Sequence, residues 1–348
     1  MMLRRASFIV LGAALAALLL EVVLSYLPVA TSIAPVATDE REPLMHPPAG
    51  LDVVFSRGWS FEQANLAKLN NFGYRSTQDY VPTDRSIAVL GDSYVESQML
   101  APTKALPGLL QRATSSSKVF GFGVSGASLA DSLAYALWSR DNLLVDTAIV
   151  TLIGGDITES WDIHPGLHHL QRSDGSIRLV HVPVRERQAL LREIFASSSL
   201  MRYVKLNLSF VDRFGFGQSI AEAPKITTDA PKCVDRTDDQ EAAEYLAKRF
   251  VELQNLGMRI LFLLDPPRDR SGVISAECRR DIDVFAREAT QRGLHVLDLG
   301  PAFRAAIGRG TKIDYKPVDA HWNEEGHRVV AGVVSTWLEE QNSRRDAR

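Results

Sequence analysis

The chain has 348 residues, 45% of them hydrophobic and 23% charged, and a net charge of -3. That composition supplies one substantial core plus a small appendage and excludes a disordered chain. Charges of both signs are interspersed and no Lys/Arg cluster is interleaved with stacking aromatics, so nucleic acid is excluded as a partner.

Arg4 and Arg5 precede an apolar stretch from Phe8 to Leu20, followed by Glu21 and then by Val22 to Ala30, where Ser25 and Tyr26 are the only polar interruptions. This is long enough to span a bilayer, and residues 6–30 are read as the membrane segment. The paired arginines favour a cytoplasmic N-terminus, which places everything after about residue 30 in the periplasm or exterior if the membrane is a bacterial inner membrane. Pro28 and Pro35 disturb the small-residue pattern that a signal peptidase needs at Val29-Ala30 or Val36-Ala37. An uncleaved signal anchor is therefore expected, with a cleaved signal peptide as the alternative. Glu21 is expensive in lipid and is expected near the outer interface, the other option being a pairing with a partner helix.

Residues 31–50 carry Pro35, Pro43, Pro47 and Pro48 among small and acidic residues, which reads as an extended linker. Residues 51–84 read as a capping segment, with a turn between short strands at Asn70 to Arg75. From residue 85 to about 342 the pattern alternates. Strand-like runs at Ser86–Leu90, Lys118–Phe122, Thr147–Ile153, Met258–Leu264 and His295–Leu299 are each followed by a stretch of helical spacing. That order predicts a three-layer α/β/α domain with a flavodoxin-like parallel sheet. Thr237 to Gln240 form a capping box for a helix ended by Gly257, Gly293 ends the next, and the last helix should run from near Asn323 to about Gln341. Residues 343–348 form a tail.

An insertion at about 158–231 separates the third strand from the fourth and exceeds what one crossover needs. Within it, Val184 to Phe210 reads as helical, with Leu190, Leu191, Ile194, Leu200 and Val204 on roughly one face, fitting a lid, a partner-docking subdomain or a structural insertion packed on the sheet edge. Cys233 and Cys278 suit an oxidising compartment as one bridge, or stand as two isolated buried thiols.

The chemistry is carried by Gly91-Asp92-Ser93, at the exit of an apolar strand, and by Asp319-Ala320-His321, after the last strand. A serine hydroxyl is a weak nucleophile until an imidazole takes its proton, and a carboxylate orients that imidazole. Ser93, His321 and Asp319 supply these three groups. Asp92 reads as a structural acceptor for backbone amides at the turn, and Asp314 is a reserve for Asp319.

The segment Ala88-Val-Leu-Gly-Asp-Ser-Tyr-Val-Glu-Ser resembles block I of the SGNH, or GDSL, hydrolase superfamily. Val124-Ser125-Gly126 resembles block II, and Asp319-Ala-His-Trp-Asn-Glu-Glu-Gly-His resembles block V. Asn71-Phe-Gly-Tyr-Arg is similar to an element preceding block I in membrane-anchored bacterial members associated with acyl modification of envelope polysaccharides. The resemblance covers roughly residues 70 to 340. It implies a serine esterase or O-acetyltransferase without cofactor or metal, in which Ser93 attacks an acyl carbonyl and His321 acts as base and then as acid. Ser93, Gly126 and the residue at position 156 would form the oxyanion hole. Two departures stand out. Asp156 occupies the position of the asparagine that usually donates to the oxyanion, and an ionised carboxylate cannot donate. Asp319 lies two residues before His321 instead of three, an arrangement similar to the Asp-x-His of alginate-type O-acetyltransferases. Asp156 would have to stay protonated among its apolar neighbours, leave donation to another group, or mark a protein that binds more than it turns over.

The expected substrate is thus an O-acyl, most simply O-acetyl, ester of an envelope or secreted carbohydrate, by hydrolysis or by transfer with a membrane-bound acyl-transfer partner. The alternatives are a lipid esterase or thioesterase, and a catalytically weak polysaccharide-binding or scaffold protein. Asp162, His164, His168 and His169 lack a metal-ligand motif. Trp161 and Trp322 are candidates for stacking on a sugar or for core packing. Gly121, Gly123 and Gly126 lack the acidic ribose partner of a dinucleotide site.

Overall fold

The computed structural model describes residues 2–33, 35–36, 38, 43–114, 117–184, 195–208, 238–268, 279–316 and 319–346. Helix α1 (Met2–Ser25) leads to the hairpin of β1 (Asp52–Arg57) and β2 (Glu62–Lys68). Then follow β3 (Ser86–Gly91), α2 (Ser93–Glu96), α3 (Leu106–Ala113), β4 (Val119–Gly123), α4 (Leu129–Leu143), β5 (Val145–Leu152) and α5 (Asp156–Glu159). The insertion contributes a second hairpin, β6 (His168–Ser173) with β7 (Ser176–His181), and the short helix α6 (Ser199–Arg202), which continues as a π turn over Tyr203–Asn207. The chain finishes with α7 (Asp239–Asn255), β8 (Arg259–Leu264), α8 (Arg280–Gln291), β9 (His295–Asp298), α9 (Gly300–Gly308) and α10 (Glu324–Asp346).

The five expected strands form one parallel sheet in the order β4-β3-β5-β8-β9. Numbered along the chain this is 2-1-3-4-5, the flavodoxin-like order, whose topological switch point lies between β3 and β5. Every residue of β3 is buried, because helices cover both faces of the sheet. Ala88 and Leu90 point into the cluster shared with α4, α7 and α8, whereas Ile87 and Val89 point into the one shared with α3, α9 and α10. The alternation along one strand thus divides the core into the two outer layers.

Asn323 caps α10, its side-chain oxygen accepting from the Glu325 and Gly326 amides, and the helix runs five residues beyond the expected Gln341. Gly257 and Gly293 follow the ends of α7 and α8 at positive φ, as expected for helix termini. Thr237 of the expected capping box, both cysteines, and residues 185–194 and 209–210 of the expected helix lie outside the described residues. Of that helix, the described part holds α6 and its π turn.

The N-terminal region is more closely tied to the domain than a loose linker would be. Val29 and Ala30 are buried, the Thr31 amide donates to Val54 O at 2.9 Å, and the Val54 amide donates to Thr31 Oγ1 at 2.9 Å. Ser56 Oγ donates to Pro28 O. Further along, Thr38 and Leu44 are buried and the Val36 amide donates to His46 O. The described part of residues 31–50 therefore lies against the folded body. Among the described residues α1 is the one helix long and apolar enough to cross a membrane, from Ser7 to Ser25.

Candidate active site

The carboxyl ends of β3, β4 and β5 and the loop before α10 converge on one edge of the sheet. Asp92 Oδ1 accepts from the Tyr94 amide at 2.9 Å and caps α2, so the first residue of that helix, Ser93, is held at the strand exit. The structural role read for Asp92 matches this contact.

Ser93 Oγ lies 2.7 Å from His321 Nε2, and His321 Nδ1 is hydrogen-bonded to Asp319 Oδ1. With its Nδ1 proton directed at the carboxylate, the neutral imidazole accepts at Nε2, so Ser93 O–H donates to His321. The competing acceptor, Asp92 Oδ2, is 3.3 Å away. The one-residue contraction between Asp319 and His321 leaves the contact intact. The backbone amide of His321 also donates to Asp319 Oδ1 at 2.9 Å, closing a tight local turn. Asp314, the reserve, is engaged elsewhere.

Arg57 of β1 donates to Asp319 Oδ2 at 2.8 Å. Burial opposes ionisation of Asp319, but the hydrogen bonds from His321 and the charges of His321 and Arg57 prevail and hold its pKa down at about 2. For His321, burial disfavours the cation, yet the hydrogen bond and charge of Asp319, together with the charge of Asp92, raise its pKa above 6.5. Arg57 works in the opposite direction on the imidazole.

The loop bearing Asp319 and His321 is fixed from beneath by a buried ionic network. Arg268 forks onto both oxygens of Asp265, donates from Nε to Asp314 Oδ2 at 2.9 Å and from Nη2 to Ala320 O at 3.2 Å. Trp322 Nε1 donates to Asp265 Oδ2 at 3.2 Å, and Tyr94 Oη donates to Ala320 O at 3.0 Å with its ring beside His321. Trp322 is wholly buried, which removes it as a sugar-stacking platform and assigns it to the core.

The oxyanion candidates flank β3. Gly126 has φ 81°, a conformation that a side chain would strain, in the turn after β4. Glu96 Oε2 accepts from the Ser125 amide at 3.1 Å and from Ser125 Oγ, and Gln98 steadies its other oxygen. Gly123 permits this close approach, since a Cβ there would meet Glu96 N at 2.0 Å. Among the described residues, neither the Ser93 nor the Gly126 amide has a protein acceptor. Asp156 begins α5 and is buried, with Oδ2 accepting from the Ile153 amide at 2.9 Å. Burial first, and then the charges of Asp92 and Glu159, push its carboxyl well above the usual range.

One further histidine supports the site from behind. The Leu106 amide donates to His327 Nδ1 at 3.1 Å, so Nε2 carries the proton and donates to Ser97 Oγ at 3.0 Å, which in turn donates to Tyr94 O. Burial depresses the pKa of His327 to about 3. The unfolded chain takes up this proton first as pH falls, so stability is complete above about pH 6.5 and is lost toward pH 3, at about 1.4 kcal/mol per pH unit. Acid unfolding followed by circular dichroism should show this slope, and His327→Gln should flatten it between pH 6 and 4, about the span of that window.

Arg57, Glu96, Asp265, Arg268 and His327 were not singled out from the sequence. Asp265 had a readable signal, being a charged residue directly after the apolar run of β8, with Arg268 three residues further on. Arg57 had none, because its role depends on a hairpin folding against a loop 262 residues away. The insertion residues His168 and His169 lie on β6, and His168 is bonded to Asp131 through both its amide and its ring. Trp161 has the Arg172 guanidinium 4.5 Å from its ring centroid.

No family model matches the chain, and no curated protein matches it. Solved structures similar to it include an acetyl xylan esterase, 14% identical, covering 73% of this chain and 98% of the other at TM-score 0.39. A lipase/acylhydrolase from Enterococcus faecalis is 12% identical, covering 74% and 96% at TM-score 0.39. An esterase from Pseudoalteromonas sp., in a structure inhibited by monoethylphosphonate, is 10% identical, covering 74% and 100% at TM-score 0.38. Likeness at this level assigns neither activity nor substrate.

Proposed function

We propose that the protein is a serine esterase of the SGNH type, acting on O-acyl groups through an acyl-enzyme on Ser93. The observation that carries this reading is the continuous chain from Ser93 Oγ through His321 to Asp319. Ser93 attacks the acyl carbonyl as His321 takes its proton, and the imidazolium then returns that proton to the departing alkoxide. Water, or a second hydroxyl in a transfer reaction, repeats the cycle on the acyl-enzyme. Arg57 and Asp319 hold the ring through both proton transfers. The amides of Ser93 and Gly126 supply preorganised donors to the oxyanion. The sequence resemblance described above directs the reading to O-acetyl esters of an envelope or secreted carbohydrate, with α1 as an uncleaved anchor and the domain outside the cytoplasm. A serine-reactive fluorophosphonate should label Ser93, as mapped by mass spectrometry. Absence of label, with retention on an immobilised glycan, would favour the binding protein instead.

In this reading Asp156 acts as a neutral carboxylic acid whose O–H faces the oxyanion, a role that its burial among other carboxylates supports. The pH profile of kcat/KM should then have two limbs. Activity rises with pH through the His321 pKa, above 6.5, since only the neutral imidazole accepts the proton. It falls again as Asp156 ionises. Asp156→Asn keeps a donor and removes that alkaline fall, while Asp156→Ala lowers turnover by about 10²–10³. An alkaline fall that persists in Asp156→Asn would refute the role.

A further inference from the structure

Glu21 lies one turn before the end of α1, inside the apolar stretch. Its carboxylate accepts from Ser198 Oγ at 2.8 Å, the Ser199 amide at 2.7 Å and the Leu200 amide at 2.8 Å. The partner is thus a segment of the same chain, the start of α6, and not a separate helix. α6 must accordingly sit at the depth of Glu21. Leu24 is buried, and Arg202 of α6 reaches over to Ala30 O at 3.2 Å, so α1 leaves the membrane segment already bound to the domain.

The turn between β1 and β2 is fixed to the same short helix. Tyr203 Oη donates to Trp59 O at 3.0 Å, the rings of Phe61 and Tyr203 are 5.3 Å apart, and the Gly58 amide donates to Asn207 O at 3.0 Å. α6 and its π turn together extend about 14 Å from Ser199 at 1.5 Å per residue, and they connect the residues that hold Glu21 to those that hold the hairpin turn bearing Trp59. Trp59 is nevertheless 77% exposed and Tyr26 is 85% exposed, and Leu27 and Met201 are open as well. An exposed Tyr26 just past the end of the apolar helix, and an exposed Trp59 on the hairpin turn tied to it through α6 and its π turn, match the chemistry of the headgroup layer, where one end of each ring is apolar and the other wet.

We propose that the surface formed by Tyr26, Leu27, Trp59 and Met201 rests in the interfacial layer of the bilayer that α1 enters, seating the Ser93 centre at the membrane surface. Continuity with α1 argues for lipid as the occupant. Trp59 is two residues from Arg57, whose guanidinium holds Asp319, so a short stretch of backbone connects the lipid surface to the reaction centre. The site then works on esters presented at the membrane. This rests on the reading of α1 as an anchor and, for the substrate, on the esterase reading.

The test is to reconstitute the full chain in phosphatidylcholine vesicles whose acyl chains are brominated, and to compare tryptophan emission with that in unbrominated vesicles. Of the five tryptophans, Trp59 should account for the quenching, which disappears in Trp59→Phe. Equal quenching in both proteins, or none in either, overturns the seating even when the chain resists carbonate extraction, and would leave the patch to a protein partner. Release by carbonate overturns the anchor and the seating together. Quenching does not depend on turnover, so it separates the surface from the esterase reading. Trp59→Asp should also lower turnover of a vesicle-borne aryl ester while leaving a soluble aryl acetate unaffected; equal loss on both overturns the link to presented substrate.

Discussion

Ser93→Ala is expected to lower turnover of a short-chain aryl acetate by about 10⁴-fold or more, the scale on which removal of a nucleophile collapses a triad mechanism. The effect is confined to chemistry. Ser93 opens α2 while the cap is made by Asp92, so loss of the hydroxyl leaves the helix start and the buried strand behind it in place. The melting temperature should therefore stay close to that of the parent protein. His321→Ala should cost as much, and the double variant hardly more, because the two groups act as one unit. Additive losses would mean that Ser93 and His321 work separately, and full activity in Ser93→Ala would dismiss the proposed mechanism.

Arg268→Ala should have the largest effect on stability. Its side chain is 2% exposed and balances the buried carboxylates of Asp265 and Asp314, while its fork also holds Ala320 O. Removing one partner of a buried ion pair leaves uncompensated charge, at a cost of about 3–5 kcal/mol. For a domain of this size that corresponds to a fall in melting temperature of about 10 °C. Activity should fall with it, since Asp314 and Ala320 would lose the cation that fixes the backbone beneath His321. Arg268→Lys keeps the charge but lacks the planar fork, so it should recover only part of the loss. A melting curve unchanged in Arg268→Ala would show that the network contributes little.

The parts of the fold legible in the sequence are those in which neighbouring residues carry the physics. The run Ile87 to Leu90 is apolar at every position because β3 is covered on both faces, and its exit into Gly91-Asp92-Ser93 sets both the turn and the cap. The same holds for Asn323, whose side chain serves amides two and three residues away. Asp319 and His321 are close in the chain, so their contact is nearly local. The linker was less legible: proline content reports a stiff extended backbone and not what that backbone lies against, and Thr31 is in fact tied to β1.

Sequence by itself determined the order of the five strands of the parallel sheet and of the main helices that follow them, the apolar helix at the start, and the candidacy of Ser93, Asp319 and His321, because hydrophobic period and strand-exit motifs are short-range properties. Tertiary structure alone decided that Arg57 meets Asp319, that Arg268 locks the loop, that Trp322 is core, and that Glu21 is satisfied by α6. Each of these contacts joins segments between 46 and 262 residues apart. Such contacts are selected by the packing of whole layers, for which no local window of residues carries a signal.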